Sequence, residues 1–460
     1  MSGGATTVSI PTRGVPATDL QSRSAAATSR EQVNARTDVL RLLPLAAQLG
    51  LLLFVFHAFD VENANFQRLA QLTVGAFVIH YFLPFAWKKV GFIALALSVG
   101  IGVIGAPDPL GAGGLMNYAS AATFLGMVFA IALLFFGVLR LPIPFPPRAC
   151  MVAAIGAGLA YLRFEAELFG PLHWRIFGAL FMFRLILFAY EVKVGKKPER
   201  LVDYLTYFFL PPNFYFVLFP VVDYLTFKRS WYADDIHRTA QRGIDWMARG
   251  TVQLCLYRLI YHRAMIGPDE VHSFATLCHY IFPSYLLYLQ VSGQFHIIVG
   301  MLHLFGYKLP ETNRQYLLAE SFTDFWRRIN IYWKDFMVKV FYYPTYFRLR
   351  KRNEKLALTA ATLVVFLATW VLHLYQWFWL KGYVNITLND TLFWTILGVL
   401  VLVSVLMQAQ AKKSPPRSRG MQLALRTVQT LGVYIFISVL WSFWSADSAT
   451  DWVDTVLYWR

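Results

Sequence analysis

The chain has 460 residues, of which 57% are hydrophobic and only 15% are charged, and its formal net charge is +16. Soluble domains carry roughly 25% charged residues, so this composition excludes an ordinary soluble globular protein. The basic residues cluster between apolar runs long enough to span a bilayer, which is typical of cytoplasmic loops and argues against a nucleic acid partner. We therefore predict an all-α, polytopic membrane protein with about eleven hydrophobic segments, some of them short or re-entrant.

The first 37 residues are rich in Ser, Thr, Ala and Arg and contain no apolar core. We expect residues 1–37 to form a disordered cytoplasmic tail, and residues 38–460 to form a single membrane domain. Through the first six apolar runs, Lys and Arg collect in alternate loops, as at Lys88 and Lys89. The positive-inside rule then places the N-terminus in the cytoplasm.

The middle of the chain, residues 201–347, is less regular than its flanks. A polar, charged stretch at 227–250 predicts a cytoplasmic amphipathic helix. Short apolar runs follow at 250–261 and 295–307, on either side of a full-length run at 271–291. Short segments at membrane depth are tolerated where they are buried in protein or line a cavity. We therefore expect an irregular core that holds a cavity, with regular spans on both sides of it.

A single histidine, His373, interrupts the apolar run between Leu356 and Leu380. At helical spacing it shares a face with Thr369 and Gln376, which gives a polar stripe on an apolar helix. One interpretation is a structural histidine that is hydrogen-bonded between helices. The other is a functional residue, because an ionisable group inside a span is costly and a neutral imidazole can act as a general base.

A second informative stretch, SFTDFWRRINIYWKDF, begins at Ser321. Ser321 and Asp324 have the spacing of a helix-capping pair, and Asp324 is placed to pair with Arg327 or Arg328. The interleaved aromatic and basic residues are also typical of an interfacial helix whose cations extend toward lipid headgroups. That interpretation does not account for two adjacent arginines followed two residues later by Asn330.

This stretch resembles the signature of the membrane-bound O-acyltransferase superfamily. The preceding SGQFHIIVGMLHLFGYKLPETN, residues 292–313, is similar to the segment before that signature in bacterial members, and TWVLHLYQWFWLKG, residues 369–382, resembles the apolar helix that carries the family's histidine. The landmarks occur in the family's order within residues 201–382, which would form the catalytic core. The resemblance is closest to the branch of bacterial alginate and other polysaccharide O-acetyltransferases and teichoic-acid D-alanyl transferases.

The resemblance implies short and re-entrant helices around a central tunnel, and acyl transfer from a thioester that enters from the cytoplasm. His373 takes the place of the family's catalytic histidine and would be the general base. Asn330 takes the place of the second polar residue and would either donate a hydrogen bond to the developing oxyanion or orient the acyl group. The resemblance also implies three residues that contact the acyl donor, namely Trp326, Arg327 and Arg328. The residues implied to line the tunnel are Thr369, Gln376 and Trp377.

The implied function is O-acylation, in the simplest case acetylation, of a cell-envelope polysaccharide by a multi-pass protein of the inner, cytoplasmic membrane. The donor would be acyl-CoA or an acyl-carrier protein, and the partners would be membrane lipids and a separate extracytoplasmic transferase. We expect no permanently bound cofactor and no metal, because His296 and His303, seven residues apart, lack a third ligand. The chain departs from the bacterial pattern at Gln294 and His296, where Tyr and Asp are common.

Three alternatives stay open. Asn330 stands where many polysaccharide acetyltransferases have His, and where the sterol and diacylglycerol acyltransferase branches have Asn. The acceptor could therefore be a lipid or a small apolar alcohol. A transporter that uses His373 as a proton relay is a second possibility, although the sequence shows no inverted repeat. A third is a non-catalytic scaffold.

Overall fold

The computed structural model describes residues 29–106, 117–165, 170–195, 199–410 and 418–458. Within these ranges the chain is mostly helical and has no β-strand, and one isolated bridge joins Trp231 to Tyr307. The prediction of an all-α polytopic membrane protein is confirmed.

The α-helices of the described ranges are α1 (Val39–Ala58), α2 (Ala64–Phe82), α3 (Lys88–Ile104), α4 (Tyr118–Leu139), α5 (Phe145–Glu165), α6 (Pro171–Phe181), α7 (Arg184–Val194), α8 (Leu201–Phe208), α9 (Tyr224–Ser230), α10 (Ile236–Arg263), α11 (Phe274–Leu286), α12 (Tyr288–Leu304), α13 (Phe322–Arg328), α14 (Ile331–Met337), α15 (Tyr343–Leu349), α16 (Glu354–Lys381), α17 (Leu388–Gln410), α18 (Arg419–Ser445) and α19 (Ala449–Leu457). Shorter pieces are the 3₁₀ turns Phe85–Trp87, Pro211–Phe214, Pro268–Glu270 and Tyr316–Leu318, and one π-helical turn, Val338–Tyr342.

Eight helices of the described chain are long and apolar enough to cross a bilayer. They are α1, α4, α5, α16, α17, α18, the helix Phe85–Ile104 that contains α3, and the helix Phe274–Leu304 that joins α11 to α12. The sequence predicted about eleven hydrophobic segments, more than these eight helices, partly because the predicted runs at 271–291 and 295–307 form one helical unit. In addition, α6 and α7 are separated by a turn at Met182 and Phe183, so neither reaches spanning length.

Most of the expected N-terminal tail, residues 1–28, lies outside the described residues. Residues 29–34 are helical. Asn34 donates from its Nδ2 to the carbonyl oxygen of Tyr232 at 2.8 Å. This bond ties the helical residues 29–34 to the loop before α10.

Glycines allow α10 and α12 to pack backbone against backbone. A Cβ on Gly250 would lie 2.5 Å from the carbonyl oxygen of Gly293, and one on Gly243 would lie 2.6 Å from that of Gly300. Small residues permit such close contact between helices in a membrane. Residues 236–250 of the predicted polar stretch and the short apolar run at 250–261 therefore form one continuous helix, α10, against the buried α12.

A buried arginine supports the irregular backbone that follows α8. The side chain of Arg184 is almost wholly buried, and its Nη1 donates to the carbonyl oxygen of Tyr207 at 2.7 Å. Its Nη2 donates to Asn213 Oδ1 at 2.5 Å and to the carbonyl oxygen of Ala179 at 3.0 Å. Polar groups at membrane depth must be satisfied within the protein. The guanidinium provides these bonds where helices end, in agreement with the irregular core expected here.

The segment α13–α14 is enclosed between this irregular core and the C-terminal spans. Helix α17 packs along α16 and α18 and contacts α13, while α14 contacts α16. Lys339, in the π-helical turn after α14, forms ion pairs with Glu191 of α7 and with Asp223, which precedes α9. These contacts hold α13 and α14 against the helix that carries His373.

Candidate functional site

Local hydrogen bonds shape helix α13, which carries the Phe-Trp-Arg-Arg run. The predicted cap is present, because the hydroxyl of Ser321 accepts a hydrogen bond from the backbone N–H of Asp324 at 3.1 Å. The predicted pairing along the helix is also present, between Arg328 Nε and Asp324 Oδ1 at 2.8 Å. Oδ2 of Asp324 accepts from the backbone N–H of Glu320. Arg328 is therefore held by its own helix.

Asn330 forms the sharp junction between α13 and α14. It has φ 38° and ψ 64°, in the left-handed region that non-glycine residues rarely adopt. Its Oδ1 accepts from the backbone N–H of Trp333 at 3.3 Å, which caps α14. Its own backbone N–H donates to Asn313 Oδ1 at 2.8 Å. Among the described residues its Nδ2 has no partner, so the amide presents an unused donor.

His373 on α16 is held in one tautomer by the turn that precedes it. Its Nδ1 lies 2.8 Å from the carbonyl oxygen of Thr369. A carbonyl can only accept, so we assign the proton to Nδ1, which leaves Nε2 as an acceptor. The imidazole lies between two indoles, with ring centroids 5.2 Å from Trp333 and 4.5 Å from Trp394. A neutral ring with a free Nε2 is the form required of a general base.

His373 and Asn330 line the same cavity, which has a volume of about 120 Å³. Side chains from α12, the α13–α14 segment, α16, α17 and α18 enclose it, and most of them are aromatic. The full lining is Tyr288, Phe325, Trp326, Ile329, Asn330, Trp333, His373, Phe393, Trp394, Leu397, Trp441 and Trp444. This volume is well below the range of about 300–1,000 Å³ for pockets that hold whole small molecules. The cavity is a small chamber, in contrast to the tunnel that the resemblance implies.

Two indoles of the lining lack acceptors. The Nε1 atoms of Trp333 and Trp394 are buried and have no hydrogen-bond partner in the described part of the chain. Buried polar groups are normally satisfied, so these two donors beside the cavity are available to a ligand or a water molecule that brings an acceptor oxygen. Trp444, also in the lining, differs because its Nε1 donates to Asp390 Oδ1 at 2.9 Å.

Asn313 connects two sides of the chamber and was not singled out in the sequence. Its Oδ1 accepts from the hydroxyl of Tyr288 at 3.2 Å as well as from the backbone N–H of Asn330. The neighbouring Thr312 carbonyl accepts from the backbone N–H of Ile331 at 2.7 Å. Asn313 is the last residue of the segment 292–313, and this position was the only feature of the sequence that could have pointed to it.

The predicted donor contacts occupy different positions. Trp326 lines the chamber. Arg327 is exposed and has no ion pair with any described residue, whereas Arg328 is paired with Asp324. Arg314, which the sequence analysis missed, is exposed as well, and its backbone N–H donates to the carbonyl oxygen of Arg328 at 2.9 Å. Arg314 and Arg327 are therefore the free cations next to the segment that carries Asn330.

The three predicted tunnel residues do not line the chamber. Thr369 is fully buried, and its hydroxyl donates to the carbonyl oxygen of Val365 at 2.8 Å. Trp377 stacks against the ammonium of Lys381, which lies 3.8 Å from its ring centroid, and Gln376 is only partly buried. Helix α16 meets this cavity at a single position, His373. Thr369 contributes through its backbone carbonyl instead.

The histidines of α12 are away from this chamber. Nδ1 of His296 lies 2.6 Å from Gln253 Oε1, and Nδ1 of His303 lies 2.8 Å from the carbonyl oxygen of Val299. Nε2 of Gln294 donates to Glu62 Oε1 at 3.0 Å. In the described ranges no group of three or more His, Cys, Asp or Glu side chains is arranged to hold a metal ion.

The fold and the site together define a polytopic α-helical membrane protein with a small aromatic chamber that contains one histidine and one asparagine. A scan against protein-family models gives no match for this chain, and a search of curated proteins gives none either.

Proposed function

We propose that this protein is a membrane-bound O-acyltransferase, which moves an acetyl group from a cytoplasmic thioester to a hydroxyl of a cell-envelope polysaccharide or a related acceptor. The observation that carries the proposal is the pairing of groups in one chamber: an imidazole with an unprotonated Nε2 and an amide with an unused N–H donor. A base and an oxyanion donor are the two groups that acyl transfer to a hydroxyl requires. The resemblance of residues 321–336 and 369–382 to the superfamily's motifs supports the same reaction.

In the proposed reaction, His373 Nε2 takes the proton of the acceptor hydroxyl as its oxygen attacks the thioester carbonyl carbon. The carbonyl oxygen becomes an oxyanion, which accepts a hydrogen bond from Asn330 Nδ2. The unpaired indole N–H groups of Trp333 and Trp394 are additional donors for it. The intermediate then collapses with cleavage of the C–S bond, and the leaving thiolate takes the proton from His373. The products are an ester and a free thiol, and the histidine returns to its neutral state.

The size of the chamber supports a short acyl group. Pockets that hold whole small molecules are typically about 300–1,000 Å³, whereas this one is about 120 Å³. An acetyl group fits such a space, and the nucleotide of a CoA donor has to remain outside it. Arg314 and Arg327 are exposed cations beside the chamber, and phosphate groups favour arginine. We propose that they contact the donor phosphates.

The location and partners follow the same proposal. The N-terminus would be cytoplasmic in a multi-pass protein of the inner membrane, and the donor would be acyl-CoA or an acyl-carrier protein. The acceptor would come from the opposite side, where a separate extracytoplasmic transferase could take over the acyl group. No permanently bound cofactor has a role in this scheme.

The test is acetyl transfer in membranes that contain the full-length protein and its variants. Membranes are supplied with acetyl-CoA labelled in the acetyl group, and both released thiol and label in the envelope carbohydrate fraction are measured. His373→Gln removes the base and should lower transfer by about 10²–10⁴-fold. His57→Gln is the matched control, because His57 is an exposed histidine of another span that is bonded to Gln67, and it should keep full transfer.

Transfer that persists in His373→Gln would end the proposal. Acyl-CoA donors of different chain length test the inferred size of the acyl pocket separately from the reaction itself. Acetyl-CoA should be used in preference to octanoyl-CoA, and equal use of both would contradict the inference from chamber size. Label that appears in lipid instead of carbohydrate would move the acceptor to the lipid alternative.

A further inference from the structure

A long apolar groove runs beside α5, away from the chamber. It has a volume of about 730 Å³ and lies between α5, α7 and α16. Its lining on α5 extends from Phe145 to Phe164, which at 1.5 Å per residue is about 28 Å, close to the thickness of the hydrocarbon core. None of the residues of α5 is buried, although the helix has the length and hydropathy of a span. The groove is therefore open along a helix that is itself embedded in lipid.

One end of the groove has a concentration of positive charge. Arg163, at the last turn of α5, lies with its guanidinium carbon 5.8 Å from the ring centroid of Trp174 and 5.6 Å from that of Phe378, and Phe378 lines the groove. Its Nε and Nη1 are buried and have no hydrogen-bond partner in the described part of the chain. Buried guanidinium nitrogens without a partner are costly unless an anion or another acceptor satisfies them.

Two further cations lie at the same place. Nε of Arg175 donates to the carbonyl oxygen of Leu380 at 2.8 Å, and Lys381 is the last residue of α16. No ion pair joins Arg163, Arg175 or Lys381 to an acidic side chain of the described ranges. The C-termini of α5 and α16 each offer roughly half a negative charge, and Glu165, the last residue of α5, offers one more. Together they do not balance three cations. The opposite end of the groove has Lys193 as its lining cation.

We propose that this groove binds one anionic phospholipid, with its acyl chains along α5 and its phosphate on Arg163 and Arg175. The apolar walls suit the chains, and bidentate guanidinium groups suit a phosphate better than an ammonium group would. Phosphatidylglycerol provides this chemistry with a net negative charge, whereas phosphatidylcholine has the same phosphate and chains but no net charge. This site is separate from the proposed acyl transfer.

The test uses the full-length protein in detergent, titrated with phosphatidylglycerol or phosphatidylcholine of the same chain composition and observed by native mass spectrometry. The wild-type protein should retain one phosphatidylglycerol in preference to phosphatidylcholine. Arg163→Gln should weaken phosphatidylglycerol retention about five-fold, and Arg163→Lys should keep part of the preference. Arg263→Gln is the charge control, because Arg263 is an exposed cation at the end of α10 without an ion pair.

A second variant tests the groove independently of charge. Gly156 lines the groove, and a Cβ there would meet nothing within 4 Å, so Gly156→Leu adds a side chain to the groove lining at an open position. Gly158 on the same helix has equally open surroundings but does not line the groove. Gly156→Leu should abolish retention of the lipid, and Gly158→Leu should leave it unchanged. Equal retention of the two lipids by the wild type, or equal behaviour of the two leucine variants, would overturn the proposal.

Discussion

The junction at Asn330 allows its structural and chemical roles to be separated. Asn330→Ala loses the cap on α14, which costs about 1 kcal/mol. It also loses the polar side chain that lets Asn adopt the left-handed region, where other L-residues pay about 1–2 kcal/mol. Asn330→Gly accepts this backbone conformation freely and should lose only a few tenths of a kcal/mol with the cap. Asn330→Asp keeps both the capping oxygen and a tolerance for the left-handed region, and so should be nearly as stable as the wild type.

The expected activities follow a different order. All three variants lack the amide N–H, so each should lose about 10²–10³-fold in acetyl transfer. Thermal unfolding in detergent and transfer from labelled acetyl-CoA, measured on the same preparations, give the two rankings. Full activity in Asn330→Asp would refute the role of the amide as a donor. An equal loss of stability in Asn330→Ala and Asn330→Gly would refute the argument from backbone conformation.

Two further predictions concern stability. Gly250→Ala should lower the melting temperature, because its Cβ would lie 2.5 Å from the Gly293 carbonyl oxygen. Gly432→Ala is the control: its Cβ would meet nothing within 4 Å, so it should raise stability by up to about 1 kcal/mol. Equal shifts in the two variants would contradict the close crossing of α10 and α12. The hydrogen bond from Lys308 lowers the pKa of Asp234 in the folded protein. The stability that this pair contributes is therefore fully present above the ordinary aspartate pKa of about 3.9, and it is lost as the pH falls through the lowered pKa of the folded state. Asp234→Asn should reduce the difference in melting temperature between about pH 7 and about pH 3, and an unchanged difference would show that the pair contributes nothing.

The positions of helix breaks were the least predictable part of the fold. The polar residues near Gln294 predicted a boundary between two apolar runs, yet Phe274–Leu304 is one helical unit. Gln294 is bonded to Glu62, and the close contact with α10 compensates for the low local hydropathy. Hydropathy is summed along the chain, so it cannot detect a partner that arrives from a distant segment.

The candidate site was predictable to the extent that its residues carry local patterns. His373 stands out in the sequence as an ionisable residue in a span, and Asn330 stands out because it follows two adjacent arginines. In the structure both residues line one chamber. Trp333, Trp394 and Asn313 could not be selected in this way. Tryptophan is common in this part of the chain, and the indoles of Trp370 and Trp379 lack acceptors among the described residues as well, so only the position of Trp333 and Trp394 in the chamber lining sets them apart.

The sequence by itself determined that this protein is a helical membrane protein, because the bilayer imposes one length and one polarity on every span regardless of its neighbours. The tautomer of His373 required the structure, which shows the Thr369 carbonyl on the same helix within hydrogen-bonding distance of Nδ1. The tertiary structure alone decided that five separate elements close around His373 to leave about 120 Å³. It also decided that Thr369, Gln376 and Trp377 face elsewhere. A cavity is the space left between segments far apart in the chain, so no local pattern can specify its size or its walls.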